Sequence, residues 1–130
     1  MKKTPPSMDE WLREAKADAL AAQEGMYLVH NGVVRETAKA RVRLGEDCTP
    51  VSGMEFAYDQ AKVAAAVEET RHMKGIFHVR VWLNEGQLEV GDDIMYVLIG
   101  GDIRPNVIDA LQFLVGKIKT ECVTEIELKD

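Results

Sequence analysis

The chain has 130 residues, a formal net charge of −6 at pH 7, and a hydrophobic fraction of 46%. A chain of this length is expected to build one core, so we predict a single domain over residues 1–130. The acidic balance argues against a protein that binds nucleic acid by charge. No apolar run is long enough to span a membrane, and the start has no signal peptide pattern.

Cysteine and histidine spacing restricts the chemistry further. Cys48 and Cys122 are isolated and lack C-x-x-C spacing, which favours a reduced, cytoplasmic protein, although a disulfide between them stays open at this stage. His30, His72 and His78 show no metal-binding spacing. We therefore predict no metal ion and no cofactor.

The first half of the chain is predicted to begin with a helix and to continue in extended segments. Ser7 followed by Glu10 has the spacing of a capping box, so a helix is expected to start there, after a frayed tail at 1–6. Asn31-Gly32 interrupts a run of strand formers and indicates either a hairpin turn or a bulge. The predicted elements are one helix at 8–23 and three strands at 26–34, 40–44 and 54–57.

The second half alternates between helices and strands. The continuous apolar run at 94–99 predicts a central strand that is buried on both faces. Glu85-Gly86-Gln87 is predicted to be a turn, and Pro105 suits the first turn of a third helix. The apolar stripe of that helix comprises Val107, Ile108, Leu111, Leu114, Val115 and Ile118. The predicted elements are helices at 59–73 and from 105, and strands at 76–83, 94–99 and 122–128.

The predicted order is α-β-β-β-α-β-β-α-β. It contains neither strict βαβ alternation nor an unbroken series of strands. This order favours an α+β fold, in which three helices pack on a mixed or antiparallel sheet.

Two groups of basic residues are candidate anion-binding features. Arg104 stands beside the start of the third helix, where backbone N–H groups favour an anion, although Gly100-Gly101 explains a tight turn there without any ligand. The second group follows the first predicted strand and is either a docking or anion site or a charged edge strand. Its members are Arg35, Lys39, Arg41 and Arg43.

Two lysines close the third helix. Lys117 and Lys119 are either helix caps, since cations favour that end of the dipole, or amines that a special environment adapts for acid, base or nucleophilic chemistry.

Four segments carry a resemblance to a known family. Residues 25–35 read GMYLVHNGVVR, residues 54–58 read MEFAY, residues 85–93 read EGQLEVGDD, and residues 118–120 read IKT. In order and spacing they are similar to the segments G-A-x-x-x-F-x-G-x-V-R, L-E-Y-E-A-Y, G-x-L-x-x-G-[DE] and L-K-T. Those segments belong to the large, catalytic subunit of molybdopterin synthase.

The resemblance implies an α/β hammerhead fold, a homodimer, and a small ubiquitin-like partner with a C-terminal thiocarboxylate. It implies sulfur transfer from that partner to cyclic pyranopterin monophosphate, a step of molybdenum cofactor biosynthesis. Lys119 would be the catalytic lysine. Arg35, Arg104 and Lys117 would bind the pterin phosphate or the incoming carboxylate, for which guanidinium forks are well suited.

The chain departs from the family pattern in three places. Ile103 replaces a histidine before Arg104, and Leu83-Asn84 replaces a His-Arg pair. After Lys119, the acidic segment 121–127 replaces a basic segment that carries a second lysine. These departures keep a second hypothesis open, namely a non-catalytic, dimeric binding module for a small ubiquitin-like protein or an anionic ligand.

Overall fold

The computed structural model describes residues 1–36, 45 and 50–129. Within them the chain forms three α-helices, α1 (Met8–Lys16), α2 (Gln60–Arg71) and α3 (Arg104–Lys117). The strands of the same residues are β1 (Met26–Val33), β2 (Gly53–Tyr58), β3 (Ile76–Leu83), β4 (Gly86–Glu89), β5 (Asp93–Gly101) and β6 (Val123–Leu128). A short 3₁₀ helix covers Ala19–Gln23, and a π-helical turn covers Ile118–Cys122.

The described strands form two antiparallel sheets rather than one. The first sheet has the order β1-β5-β3 and the second has the order β4-β2-β6. In the first sheet His30 pairs with Val97, and in the second Phe56 pairs with Glu125. The central position of β5 confirms the prediction for the apolar run at 94–99, and the architecture confirms the α+β class.

Helices cover both faces of the first sheet. On one face α2 packs against β3 and α3 packs against β5, and Val97, Ile99, Val107 and Leu114 are completely buried there. On the other face α1 packs Trp11 against Leu98. The buried stripe of α3 is Val107, Ala110 and Leu114, and Ile118 continues it into the turn that follows.

The apolar stripe predicted for α3 was wrong at Ile108, which is 38% exposed. The buried positions follow one another at intervals of three or four residues, which is the spacing of a single helix face. Ala110 completes that face, and Ile108 lies beside it. Hydrophobicity alone does not distinguish a small buried residue from a large residue at the edge of the stripe.

The helix predicted over 8–23 is divided in two. The Ser7 hydroxyl accepts a hydrogen bond from the backbone N–H of Glu10 at 3.2 Å, as the capping pattern predicts. The helix then ends at Lys16, and the side chain of Asp18 accepts from the N–H of Leu20 at 2.8 Å, which starts the 3₁₀ helix. A short carboxylate side chain can compete in this way for backbone donors inside a helical sequence.

Two further turns were predicted in the strand regions. The register of β1 shifts between Gly32 and Val33, which confirms the bulge and not the hairpin. The turn predicted at 85–87 is displaced, because Gly86 and Gln87 already pair with β2 as part of β4. The predicted strand at 40–44, the three basic residues at 39–43 and Cys48 lie outside the described residues.

The N-terminal residues make contacts that the prediction of a frayed tail did not include. The backbone N–H of Lys3 donates to Asn84 Oδ1 at 2.7 Å, and its ammonium donates to the Tyr58 hydroxyl at 2.8 Å. Lys2 pairs with Asp92 at 3.0 Å. No helix in the described part of the chain is long and apolar enough to cross a membrane.

Candidate active site after the third helix

Lys119 lies in the π-helical turn that follows α3. Ile118 and Cys122, four residues apart, both point into the core and anchor this turn. The Thr120 hydroxyl donates to the carbonyl of Gly116 at 2.8 Å. The turn therefore holds Lys119 at the surface, directly beside the core.

Glu125 of β6 contacts Lys119 directly. The Lys119 Nζ atom lies 3.2 Å from Glu125 Oε1, and the side chains are 37% and 15% exposed. Glu125 is opposite Phe56 in the register, so its side chain lies on the inward face of the second sheet. A carboxylate on an inward face needs a charged or hydrogen-bonding partner, and the Lys119 ammonium is such a partner.

His30 of β1 lies near the same lysine. Its side chain shares a sheet face with the buried Val97, which is the face that α3 covers. Burial of the ring lowers the pKa of His30 below its ordinary value, and the positive charge of Lys119 lowers it further. The imidazole is therefore uncharged at neutral pH.

Arg35 lies just after β1, at the junction of the two sheets. The neighbouring Val34 donates its N–H to the carbonyl of Asp92 at 3.0 Å, and Val51 donates to the carbonyl of Glu36 at 2.7 Å. Arg35 itself is exposed. The same end of the first sheet therefore carries Arg35, His30 and Lys119.

Arg104 is at the opposite end of α3 from Lys119. The helix has 14 residues and is therefore about 21 Å long. It starts directly after β5 and runs back along that strand. One copy of the chain does not bring Arg104 and Lys119 into a common small pocket.

Lys117 faces another side of the helix end. Its Nζ atom lies 3.2 Å from Glu121 and 3.9 Å from Glu69 of α2. The hydrogen bond to Glu121 raises the pKa of Lys117 above its ordinary value. Lys117 thus lines a cavity of about 460 Å³ between α2 and the turn, whereas Lys119 contacts β6.

The helix start at Arg104 has an acidic side chain beside it. The Asp102 carboxylate accepts from the N–H of Ile103 at 2.6 Å and from the Asn106 side chain at 2.9 Å. The hydrogen bond from Asn106 contributes most, and that from Ile103 next, to holding the pKa of Asp102 below its ordinary value. The negative charge of Asp102 therefore lies beside the residues that start α3.

The residues that depart from the family pattern have clear positions. Ile103 is 57% exposed beside the helix start. Asn84 is buried, accepts from the N–H groups of Lys3 and Glu85, and donates to the carbonyl of Asp93 at 2.9 Å. Asn84 thus ties three backbone segments together.

Cys122 is buried as a free thiol, and burial raises its pKa. Its place at the inward side of the turn gives it a packing role. Among the residues that the structure describes, no three His, Cys, Asp or Glu side chains come together as a possible metal site.

The sequence reasoning missed His30 and Glu125. For His30 a signal was present, because it lies on the same face of β1 as Met26 and Leu28, which contact the core. Glu125 gave no such signal. The pattern of β6 is inverted, with Glu125 inward and Ile126 exposed, which is the reverse of the usual alternation.

Comparisons with known proteins complete the description. The chain matches the family model described as MoaE protein over residues 1–121. No curated protein sequence matches it. Solved structures that share the fold include a molybdopterin synthase from Staphylococcus aureus, with 17% sequence identity and a TM-score of 0.74 over 97% of this chain and 87% of that one.

Two other structures are similar. A molybdopterin biosynthesis MoaE protein from Burkholderia ambifaria has 18% identity and a TM-score of 0.69, covering 98% of this chain and 83% of that chain. A complex of subunits 1 and 2 of molybdopterin-converting factor from Helicobacter pylori gives 15% identity and a TM-score of 0.65, covering 94% and 78%. The structures establish the fold, and the family match over residues 1–121 establishes that the chain belongs to the MoaE family of molybdenum cofactor biosynthesis.

Proposed function

We propose that the chain is the catalytic subunit of a molybdopterin synthase, with Lys119 as its catalytic residue. In this proposal a small ubiquitin-like partner presents a C-terminal thiocarboxylate, and its sulfur is transferred to cyclic pyranopterin monophosphate. The observation that carries the proposal is the position of Lys119, an amine beside the core within the segment that matches the family. The family resemblance supplies the reaction and the partner.

Arg35 is proposed to bind the phosphate of the pterin or the carboxylate end of the partner. It lies at the same end of the first sheet as Lys119, and a guanidinium suits both groups through paired hydrogen bonds. Lys117 is proposed as a more distant contributor of positive charge, because Glu121 and Glu69 already engage its ammonium.

Arg104 is proposed to act from a second copy of the chain. It is separated from Lys119 by the length of α3, so a site that uses both residues must form between two chains. A homodimer with two-fold symmetry provides two such sites, each with Lys119 of one copy and Arg104 of the other.

The test of the activity combines the chain with a thiocarboxylated partner and the pyranopterin precursor, and measures the dithiolene product. Lys119→Met is expected to abolish product formation, because it removes the amine and keeps the length of the side chain. Lys16→Met is the matched control, since Lys16 is exposed at the end of α1 on the other face of the first sheet. If both variants keep their activity, Lys119 has no part in the mechanism.

The two-chain site has its own test. Lys119→Met and Arg104→Ala chains are each expected to be inactive, whereas a mixture that exchanges subunits forms heterodimers with one intact site. About a quarter of the wild-type activity is expected to return for random mixing. No recovery, with exchange verified by mass spectrometry, would contradict the shared site.

A second candidate function is a non-catalytic binding module. The Lys119–Glu125 ion pair favours it, because Glu125 neutralises the ammonium on which the chemistry depends. Capture of a ubiquitin-like partner that ends in Gly-Gly, without any turnover, would favour the module. Turnover would exclude it.

We also propose a cytoplasmic location, supported by the free and buried thiol of Cys122, which suits a reducing compartment. Fractionation of cells that express the chain tests this proposal. Recovery in an exported fraction would contradict it.

A further inference from the structure

Glu125 balances the positive charge of Lys119. The Lys119 ammonium and the Glu125 carboxylate lie 3.2 Å apart, and Glu125 is largely buried. The charges of this pair sum to zero. A small anion that approaches Lys119 therefore meets the negative charge of Glu125 as well, and the net attraction is weak.

His30 is the titratable group placed to change this balance. It is half-buried on the face of β1 that α3 covers. The length of α3 equals that of about six or seven residues of β5. The turn after α3 therefore lies near Val97 and Met95 of β5. These two residues pair with His30 and Gly32 of β1. Gly32 is the neighbour of His30 on this face, because a Cβ added there would lie 3.9 Å from His30 Nε2, an ordinary contact distance.

We propose that His30 is a further cation of the Lys119 site, and that a phosphate-like or carboxylate anion binds there together with one proton taken up by the imidazole. The proposal rests on the proposed function for the kind of ligand. It concerns this chain in particular, because the matching position of the family pattern is a phenylalanine, which carries no proton.

The charged groups around His30 determine the direction of the effect. Lys119 approaches from the turn and disfavours the imidazolium, whereas Glu125 of β6 contacts Lys119. The strand partners Val97 and Met95 are apolar, and Asp93 is bonded to Asn31, whose side chain lies on the opposite face of β1. A bound anion favours the imidazolium and so opposes both burial and the charge of Lys119.

The binding of an anion must then depend on pH. The pKa of free His30 is below its ordinary value, and a bound anion raises it. Affinity is therefore highest at low pH and falls as pH rises through the interval between the free and the bound pKa. The fall is at most about tenfold per pH unit for one proton.

The experiment uses the full chain and two anions whose own charge is constant between about pH 5 and about pH 8. Sulfate stands for the phosphate group, and N-acetyl-glycylglycine stands for the carboxylate end of a partner. Binding is followed by NMR from the shifts of backbone amides, with the His30 ring titrated in parallel. We expect about fivefold to tenfold tighter binding at the low end of this range, with a higher His30 midpoint when the anion is present.

Variants separate the roles of the groups. His30→Phe keeps a ring in place and is expected to remove the pH dependence, and Glu125→Gln is expected to tighten binding over the whole range. Lys119→Met is expected to lose binding. His72→Asn is the matched control, because His72 is exposed at the end of α2, and it should leave the pH dependence unchanged.

Several outcomes would overturn the proposal. These are equal affinity at both ends of the pH range, a pH dependence that survives His30→Phe, or amide shifts confined to residues away from Lys119. Preference for sulfate over the peptide identifies the phosphate as the ligand, and the reverse identifies the carboxylate. If sulfur transfer is absent but proton-linked binding is present, only the proposed function fails. If sulfur transfer is present but binding does not depend on His30 protonation, only the role of His30 fails.

Discussion

The two ends of α3 are built in opposite ways. At its start, the Asp102 carboxylate accepts from the Ile103 N–H and the Asn106 side chain, and glycines allow the backbone segments to approach closely. At its end, the helix widens into a turn that holds Lys119 against the partly buried Glu125. The start is closed by the chain's own groups, whereas the end presents a charged side chain.

The glycines at the helix start have a packing reason that does not require a ligand. Gly101 has no room for a side chain, since an added Cβ would lie 2.6 Å from the carbonyl oxygen of Gly75. The glycines serve packing. Functional chemistry is expected where a half-buried titratable group lies near a charge, as His30 does near Lys119, whose ammonium contributes to lowering the pKa of His30.

The largest contrast is expected between the two isoleucines that flank α3. Ile118→Ala removes a completely buried side chain and is expected to lower the free energy of unfolding by about 3 kcal/mol. Ile103→Ala, at the exposed start, is expected to change it by less than about 0.5 kcal/mol. Urea denaturation measures both, and similar losses would show that the two ends are packed alike.

Glycine substitutions give the next contrast. Gly101→Ala places a methyl group against the carbonyl of Gly75 and against Val107, and overpacking of this kind costs about 2 to 3 kcal/mol. Gly116→Ala has open space within 4 Å in α3 and is expected to stabilise the fold by about 0.5 to 1 kcal/mol. A stable Gly101→Ala protein would contradict the close approach at the helix start.

Asp102→Ala is expected to lower the free energy of unfolding by a smaller amount, which depends on pH. The folded state holds the pKa of Asp102 below its ordinary value, so the stability it contributes is present above pH 4 or so and is lost as pH falls through the folded value. The difference in unfolding free energy between wild type and variant should therefore shrink in acid. A constant difference from neutral to acidic pH would show that the carboxylate charge has no part in the hydrogen bonds to Ile103 and Asn106.

The sequence predicted the elements well where one local signal decided them. The apolar run at 94–99, the cap at Ser7 and the bulge near Gly32 all follow from residues close together in the chain. The predictions differed from the structure where distant parts compete. The 3₁₀ helix begins because Asp18 competes for a backbone N–H, and the tail at 1–6 is bound because Asn84, far along the chain, accepts from Lys3.

The site was less accessible to sequence reasoning than the fold. The resemblance indicated Lys119, and the structure adds its contact with Glu125 and its charge effect on His30. Their proximity follows from the packing of α3 on β1 and from an inverted strand, β6, which alternation would orient with Ile126 inward. The sequence also grouped Arg104 with Lys119. The length of α3 shows that the two residues cannot share one pocket within one chain.

The smallest expected change in unfolding free energy is that between two glutamate variants near the end of α3. Glu125 is 15% exposed and pairs with Lys119, whereas Glu121 is 56% exposed and pairs with Lys117. Glu125→Gln is expected to cost about 1 kcal/mol, because the amide keeps a hydrogen-bond acceptor but loses the charge that balances Lys119. Glu121→Gln should leave stability unchanged within error, since water screens an exposed pair. High salt should reduce the cost of Glu125→Gln only slightly, as a half-buried pair is poorly screened. Equal costs in urea denaturation would mean that Glu125 is as solvated as Glu121, and the Lys119 site would then lack the buried charge that distinguishes it from the rest of the surface.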